Sequence, residues 1–342
     1  MYDNIQTIRY MGNKNRLLDF IIPEIEKITE KGAAVCDLMS GTNSVGYALK
    51  RNYKVISNDV QKYSECIARA IIVNNKETIN AESAAADLGE KYRENLENAE
   101  FDYFYKTYPD TYFSARQCLE IDSLRFAIEN IEEGAKKSLY LTALMGAMCK
   151  VQSTPGHFAQ FMPKQHRRIV PLRAMSVWDE FLQKCGDFDE IVDNGAENKA
   201  FCLDYKELLK SGAAAEAKTF YLDSPYSAEQ YSRFYHILET VVRYDRPEVS
   251  FKAKYRCDRF MSGFCYKAKV GGEFENIIKY CRENGSNLVI SYSDKGVIGC
   301  EELLRLCKKY YPSAEMKKCA YSHSTMGKGS GSLSECLFIL KN

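Results

Sequence analysis

The sequence has almost no excess charge, since 47 Lys and Arg residues stand against 46 Asp and Glu residues. A basic excess is common in nucleic-acid-binding proteins, so the overall balance gives no hint of such a partner. No stretch approaches the roughly 20 apolar residues that span a bilayer. The first 14 residues also lack the apolar core of a secretory signal. We therefore expect a cytoplasmic protein with no membrane association.

Metal-ligand and disulfide patterns are also missing from the sequence. The thirteen cysteines form no CxxC pair, and neither they nor the four histidines have the spacing of a zinc site. In a chain without an export signal, such scattered cysteines are expected to be reduced thiols. We predict no bound metal.

The charge is nevertheless uneven along the chain, with two basic clusters. The first contains Lys164, His166, Arg167, Arg168 and Arg173, and the second contains Lys252, Lys254, Arg256, Arg259, Lys267 and Lys269. Local clusters of this kind can hold phosphates while the rest of the surface stays acidic. Two solvated loops would have the same composition.

The N-terminal part of the sequence has the pattern of a βαβ unit. Two short apolar runs, 33–38 and 54–57, predict buried strands. Helical apolar spacing precedes, separates and follows them, over 14–30, 45–50 and 63–75. This order of elements predicts a parallel sheet.

The middle of the chain differs from both ends. Residues 76–195 contain few strand candidates and many helical ones, such as 115–130 and 137–149, so we expect an inserted helical subdomain. After it the strand pattern resumes. The predicted elements there are strands at 200–203, 219–222 and 287–291, a helix at 273–284, and a hairpin with arms at 316–321 and 335–340.

A turn of small residues, 39–44, follows the first predicted strand, and Asp59 follows the second. Open α/β sheets bind ligands at the carboxyl ends of their strands. Gly41 lets the backbone approach a nucleoside closely, and Asn43 tolerates a left-handed backbone. Asp59 is placed to bind ribose hydroxyls. The same pattern fits nicotinamide-dependent enzymes, other nucleotide binders and a simple helix-capping turn.

The segment 221–226 (YLDSPY) joins an apolar strand to an acid, a proline-stiffened turn and an aromatic ring. Adenine's amino nitrogen is a poor nucleophile because its lone pair is delocalised into the ring. If Asp223 and the Ser224 carbonyl accept its two N–H groups, the nitrogen can attack a sulfonium methyl in line. Pro225 rigidifies the turn, and Tyr226 can stack on a flipped base. An ordinary β-turn uses the same residue types.

A third motif, RYMGNK at 9–14, precedes the first predicted helix. Asn13 suits the N-cap of that helix. The alternative interpretation is a loop that covers the methionine end of a cofactor.

Together these segments resemble the Dam-like (D12 class) family of DNA N6-adenine methyltransferases, and they occur in the family's order. RYMGNK is similar to its N-terminal cofactor motif, DLMSGTNSVGY at 37–47 to its glycine motif, and NDVQKYS at 58–64 to its ribose-binding segment. FCLDYKELL at 201–209 is similar to the stretch before the catalytic strand. YLDSPY is similar to the catalytic motif, which is usually Asp-Pro-Pro-Tyr.

The resemblance implies an α/β fold with a Rossmann-like class I methyltransferase sheet, mostly parallel and closed by an antiparallel hairpin. It implies a catalytic domain formed by 1–75 and 196–342, and a helical target-recognition subdomain at 76–195. The implied methyl donor is S-adenosylmethionine. Its expected ligands are Tyr10, Gly12, Lys14, Asp37, Met39, Ser40, Gly41, Thr42, Asn43, Ser44, Asp59, Val60, Leu203, Asp204 and Tyr205.

Double-stranded DNA is the expected partner, with contacts from three places. In such enzymes the segment after the catalytic motif faces the flipped base, and in the insert amides and hydroxyls can read base edges while cations hold phosphates. The expected contacts are Tyr231, Arg233, Tyr235 and His236 after the motif; Gln152, Ser153, His157, Lys164, Arg167 and Arg168 in the insert; and Lys328 in the closing hairpin. We interpret His236 as structural or substrate-orienting rather than as a general base.

Two positions depart from the family pattern. Ser224 replaces the first proline of the catalytic motif, and Asn43 replaces the second glycine of a common glycine motif. Because the hydrogen-bonding carbonyl at 224 belongs to the backbone, we expect the chemistry to survive with a less preorganised turn.

Other functions remain alternatives at this point. They are an inactive DNA-binding relative, an RNA adenine methyltransferase and a nicotinamide-dependent oxidoreductase. Cytosine C5 methylation fits poorly because none of the eight prolines precedes a cysteine, and N4-cytosine methylation more usually has Ser in place of Asp223. We expect a monomer or weak dimer in a restriction-modification or similar defence system, with any cognate endonuclease on a separate chain.

Overall fold

The computed structural model describes residues 5–163, 165–321 and 333–342. Its centre is a seven-stranded sheet. The strands are β1 (Ala34–Asp37), β2 (Lys54–Asn58), β3 (Lys199–Phe201), β4 (Ala217–Asp223), β7 (Asn287–Ser293), β8 (Glu315–Tyr321) and β9 (Leu333–Leu340). A separate two-stranded ribbon consists of β5 (Val249–Ser250) and β6 (Tyr255–Arg256). Each strand of the large sheet begins and ends within two residues of a predicted strand, so the apolar runs in the sequence located the strands correctly.

The strand order in the sheet is β3-β2-β1-β4-β7-β9-β8. Strands β1 to β4 and β7 pair in parallel. Strand β9 pairs antiparallel with both β7 and β8, so β8 runs parallel to the first five strands. The expected mostly parallel sheet with a closing antiparallel hairpin is thus confirmed, and β9 is its antiparallel member.

Helices cover both faces of the sheet. Those of the outer parts of the chain are α1 (Leu18–Ile28), α2 (Ser44–Lys50), α3 (Lys62–Ala68), α10 (Tyr205–Ser211), α11 (Tyr231–Phe234), α12 (His236–Arg243), α13 (Val270–Glu283) and α14 (Cys300–Tyr310). A 3₁₀ turn at Lys14–Leu17 leads into α1, a π-helical turn at Arg69–Val73 extends α3, and another 3₁₀ turn lies at Gly263–Cys265.

The middle of the chain is helical, as the sequence predicted. Its helices are α4 (Ala81–Asn98), α5 (Tyr103–Thr107), α6 (Ala115–Glu129), α7 (Ala135–Val151), α8 (Ile169–Ala174) and α9 (Val177–Cys185), followed by a 3₁₀ turn at Gly186–Phe188. Capping boxes begin α4 at Asn80 and α6 at Ser114, which satisfies the free N–H groups of their first turns. The assignment of 76–195 to a target-recognition subdomain stays a prediction.

Alternation along each strand divides the apolar side chains between two clusters. Val35, Val55 and Val289 belong to the cluster that packs with α1, α2, α3 and the middle helices α6 and α7. Cys36, Phe220 and Ile290 belong to the opposite cluster, which packs with α10, α13 and α14. Each fully buried side chain of this size contributes about 1.5–3 kcal/mol. Within the described residues, no helix is both long and apolar enough to cross a bilayer.

Candidate active site

A cavity of about 290 Å³ opens at the carboxyl edge of the sheet. Loops that follow β1 to β4 form its walls, together with the N-terminal run and residues 260–264. All the expected cofactor residues except Asn43 line this cavity, and so do Asp223, Ser224, Pro225 and Tyr226. The fold therefore brings the predicted cofactor and catalytic residues together in one cavity.

Asp59 fastens the glycine turn to the end of β2. Its Oδ2 accepts the N–H of Gly41 at 3.0 Å, and its Oδ1 accepts the N–H of Gln61 at 2.9 Å. Burial raises the pKa of Asp59, although these two N–H groups oppose the rise. Gly41 has φ +51°, so the turn uses the left-handed backbone that favours glycine.

Asn43 lies beneath this turn rather than at the cavity wall. Its φ of +61° confirms the expected left-handed backbone. The side chain is fully buried, donates to the Ser64 carbonyl at 3.1 Å and accepts from the Ser57 hydroxyl. Unlike the other expected cofactor ligands, Asn43 does not line the cavity and instead holds the turn from behind.

Asp37, at the end of β1, is a buried carboxylate with little compensation. It is 2% exposed, and its Oδ1 has no hydrogen-bond partner among the described residues. Burial raises the pKa of Asp37 well above its ordinary value, and the nearby Asp223 and Asp59 raise it further. A positively charged ligand in the cavity would relieve this unfavourable concentration of negative charge.

Lys14 connects the N-terminal run to the catalytic motif. Its Nζ lies 2.9 Å from Asp223 Oδ1 and 3.3 Å from a carboxylate oxygen of Glu335 on β9. Burial alone would lower the pKa of Lys14, but Asp223 and Glu335 raise it well above its ordinary value. Burial raises the pKa of Asp223 to about 6 against the opposing effect of Lys14, and Glu335 adds to the rise. At neutral pH the lysine is charged and Asp223 is mostly ionised.

The rest of the catalytic motif forms a turn beside the N-terminal run. The Ser224 hydroxyl, which precedes Pro225, is buried and has no partner among the described residues. The Tyr226 carbonyl accepts the Val297 N–H at 3.0 Å, which ties the turn to the loop after β7. The centroid of the Tyr226 ring lies 5.8 Å from Lys14 Nζ. The turn thus presents one carboxylate and one aromatic ring to the same cavity.

Both interpretations of the N-terminal run fit the structure. Asn13 accepts the Asn15 N–H at 2.7 Å, so the expected cap lies on the 3₁₀ turn that leads into α1. Gly12, with φ +78°, passes so close to Tyr226 that an added Cβ would lie 3.3 Å from the phenol oxygen. The run therefore both begins the first helix and forms a wall of the cavity.

A comparison with known families matches residues 10–291 to the D12 class N6 adenine-specific DNA methyltransferases. The chain belongs to this family. The match covers the cavity-lining loops described above and ends within β7.

Curated relatives agree with this family. The chain is 30% identical to modification methylase LlaI of Lactococcus lactis over 89% of its own length, and 29% identical to modification methylase StsI of Streptococcus sanguinis over 92%. These alignments cover 49% and 48% of the two relatives, so the chain spans about half their length. The type II methyltransferase M.NlaIII of Neisseria lactamica is 26% identical over 89% of this chain and 88% of its own.

The DNA contacts expected from the sequence differ in their surroundings. Tyr231 lines the cavity, and Arg167 and Arg168 are exposed. His157 is half-buried against Phe234. Lys164 and Lys328 lie outside the described residues.

The remaining expected DNA contacts are engaged with protein groups. Gln152 and Ser153 are buried, Tyr235 accepts the Met11 N–H at 2.6 Å, and Arg233 pairs with Glu229 at 3.1 Å. His236 bonds Tyr112 and the Phe158 carbonyl, and burial lowers its pKa to about 3, so its ring is neutral. Four of these side chains are therefore buried behind the site and do not face its surface: those of Gln152, Ser153, Tyr235 and His236.

Sequence reasoning missed one whole wall of the cavity. Residues 260–264 line it and are held to the segment after the catalytic motif. Gln230 accepts the Ser262 N–H at 2.7 Å and donates to its carbonyl at 3.2 Å, while Ser232 donates to the Phe260 carbonyl at 2.7 Å. These contacts join distant parts of the chain, and nothing in the local sequence signals them. Glu335 was missed as well, although a lone acid in an apolar strand is an available signal.

Proposed function

We propose that the chain transfers a methyl group from S-adenosylmethionine to N6 of an adenine flipped out of double-stranded DNA. This proposal rests on the different surroundings of the two carboxylate oxygens of Asp223. Lys14 binds Oδ1, whereas Oδ2 has no partner among the described residues, in a side chain that is 22% exposed and lines the cavity. One carboxylate oxygen is thus fixed and the other is available to accept an amino N–H.

The residues of the cavity fit S-adenosylmethionine. Gly41 leaves room for close backbone approach, and Asp59 has lone pairs left for ribose hydroxyls after accepting two N–H groups. Asp37 supplies a buried carboxyl group whose Oδ1 has no partner among the described residues, and a sulfonium cation would stabilise its ionised form. When bound, this cofactor supplies an electrophilic methyl group.

The chain's own residues prepare the nucleophile. Asp223 Oδ2 accepts one N–H of the adenine amino group and the Ser224 carbonyl accepts the other, which localises the nitrogen lone pair. Tyr226 stacks on the extruded base, and Tyr231, whose ring centroid lies 6.3 Å from that of Tyr226, borders the same space. Holding base and methyl donor in one cavity lowers the entropic cost of bringing them together.

The biological setting follows from the relatives, which are named modification methylases and type II methyltransferases. We place the chain in a restriction-modification system, with a separate endonuclease as its counterpart. The helical middle, residues 76–195, is proposed to read the target, with Arg167 and Arg168 on phosphates.

The test is transfer of labelled methyl from S-adenosylmethionine to unmethylated duplex DNA, followed by digestion to nucleosides. Asp223→Asn is the matched variant because it preserves the side-chain shape. Label in N6-methyldeoxyadenosine from the native protein, with little from the variant, is the expected result. Label in cytosine derivatives, or in RNA alone, would overturn the proposed substrate. A protein that fails to bind the cofactor in equilibrium dialysis would overturn the reaction itself.

A further inference from the structure

Glu335 is a buried acid with no assigned role. It lies on β9, is fully buried and falls beyond residues 10–291, the part of the chain that matches the family. An unpaired charge at such a position would cost several kcal/mol. Its partner is Lys14, which also binds Asp223.

The two carboxylates that contact Lys14, and a serine between them, lie on three neighbouring strands. Asp223 on β4 stands in register with Ser291 on β7, and β7 pairs in turn with β9. The Ser291 hydroxyl donates to Glu335 Oε1, while Oε2 is buried without a partner among the described residues. Because Asp223 and Glu335 sit on strands of one sheet, the two carboxylates have little freedom to move relative to each other.

The charges of the group do not balance. Two carboxylates share one ammonium, which leaves one net negative charge beside the cavity. If Lys14 belonged to Asp223 alone, it would neutralise that carboxylate and weaken it as a hydrogen-bond acceptor. Because Lys14 also interacts with Glu335, it neutralises Asp223 less completely, and Asp223 remains a stronger hydrogen-bond acceptor.

We infer that Glu335 is a positioning residue that acts through Lys14: it holds the lysine against Asp223 Oδ1 and keeps Oδ2 a strong acceptor for the substrate amino group. This inference rests on the proposed function. Other titratable groups near Asp223 and Lys14 are Asp37 on β1, Tyr221 on β4, Tyr226 in the catalytic turn and Tyr231 on α11. They stay the same in the variants considered below.

Two substitutions should move the ionisation of Asp223 in opposite directions. Glu335→Gln removes a negative charge, so the acid limb of the kcat profile should move to lower pH by about half a unit. Its kcat at pH 8 should fall by no more than about threefold, with KM values unchanged, because Asp223 becomes a weaker acceptor by that half unit. Lys14→Met removes the positive charge and should move the acid limb to higher pH. Glu335→Asp, which retains the charge, should restore the native position of the limb.

Glu24→Gln is the control, since Glu24 is a nearly buried acid paired with Lys27 and Lys317 away from the cavity. It should leave the profile unchanged. If Glu335→Gln and Lys14→Met leave the acid limb in place, or shift it in the same direction, the inference is wrong.

A second readout needs no methyl transfer. Carboxyl NMR of protein labelled at aspartate, with the Asp223 signal assigned from Asp223→Asn, reports the pKa of Asp223 directly. Opposite shifts in the two variants support the network even if the native protein methylates no DNA, in which case only the proposed function fails. An active native protein whose Asp223 pKa is insensitive to Glu335→Gln would sink the inference alone.

Discussion

The ring of Tyr10 stacks on the ring of Tyr235, with centroids 4.2 Å apart and planes inclined by 19°. The hydroxyl of Tyr235 also accepts the backbone N–H of Met11. One buried tyrosine after the catalytic motif therefore fixes the N-terminal run through both its ring and its oxygen. The run in turn carries Gly12 and Lys14, so its position affects both the cavity wall and Asp223.

Tyr235→Phe should weaken cofactor binding while leaving the fold intact. The ring stack is retained, but the Met11 N–H loses its acceptor, at a cost of about 1 kcal/mol, so the Kd for S-adenosylmethionine should rise about fivefold. Isothermal titration calorimetry measures this change. Tyr292→Phe is the control, because its hydroxyl bonds the Ile298 N–H in the opposite core cluster. Equal effects of the two substitutions would argue against a specific role for Tyr235.

The activity should decline on the acid side of pH 6. Asp223 must be ionised to accept the amino N–H, and its pKa is raised to about 6. As the pH falls through this value the carboxylate takes up a proton, and kcat should drop by up to tenfold per pH unit. Rates at saturating substrate between pH 5 and 9 test this expectation. A rate that stays constant down to pH 5 would contradict it.

Asp37→Asn should stabilise the ligand-free protein and weaken cofactor binding. The raised pKa of Asp37 means that its charged form is disfavoured in the folded state, so this carboxyl begins to destabilise the fold as the pH rises above its ordinary pKa, and the effect is complete above the raised pKa. Removing the charge should raise Tm at pH 8 by about 2 °C. The difference should shrink as the pH falls and the native carboxyl becomes protonated. Melting curves at pH 8 and pH 5, each with and without S-adenosylmethionine, measure both effects.

A lower Tm for Asp37→Asn at pH 8 would show that Asp37 has a structural partner that outweighs its burial. An unchanged affinity for the cofactor would remove Asp37 from the proposed binding site.

Ser224→Pro should stabilise the protein and maintain or raise kcat. Proline restricts the unfolded chain, which is worth about 0.4–1 kcal/mol where the backbone permits it, and the substitution removes a buried hydroxyl that has no partner in the described part of the chain. Asp223 already lies in a strand, the conformation favoured before proline. Ser224→Ala separates the two contributions because it removes the hydroxyl without stiffening the turn. A loss of stability in the proline variant alone would mean that the Ser224 N–H is needed.

Arg167→Ala combined with Arg168→Ala should weaken DNA binding without changing cofactor affinity. Both side chains are exposed, and neither forms a salt bridge with a described residue. If each contacts a phosphate, the slope of log K against log salt should fall by roughly 2. Lys210→Ala with Lys218→Ala is the charge-matched control, since Lys218 lies near the start of β4, away from the carboxyl edge of the sheet. Equal slopes for the two double variants would exclude the proposed phosphate contacts.

The sequence located the sheet and the cavity well because both depend on local patterns. Buried parallel strands are short apolar runs, and the residues that end them, such as Asp37, Asp59 and Asp223, must lie at one edge. Asn43 shows where this reasoning fails: its left-handed backbone was predictable from residue type, but the direction of its side chain depends on Ser57 and Ser64.

Long-range contacts account for the other failures. Tyr235 was expected to face DNA, yet it is buried against the N-terminal run, and the insert covers the neighbouring His236. The wall at 260–264 depends on Gln230 and Ser232, whose residue types are common in any loop. Such contacts are set by how distant segments pack, which a single sequence does not encode locally.

The position of β9 has a consequence for the order in which the protein folds. Strand β9 follows β8 in the chain but lies between β7 and β8 in the sheet. Strand β8 therefore has no partner in the sheet until β9 has been synthesised, because β9 alone connects it to β7. Because β9 carries Glu335, a chain in which only β1 to β7 have been synthesised still lacks the second partner of Lys14. The electrostatic environment of Asp223 is thus incomplete until the strand that attaches β8 to the sheet has been made.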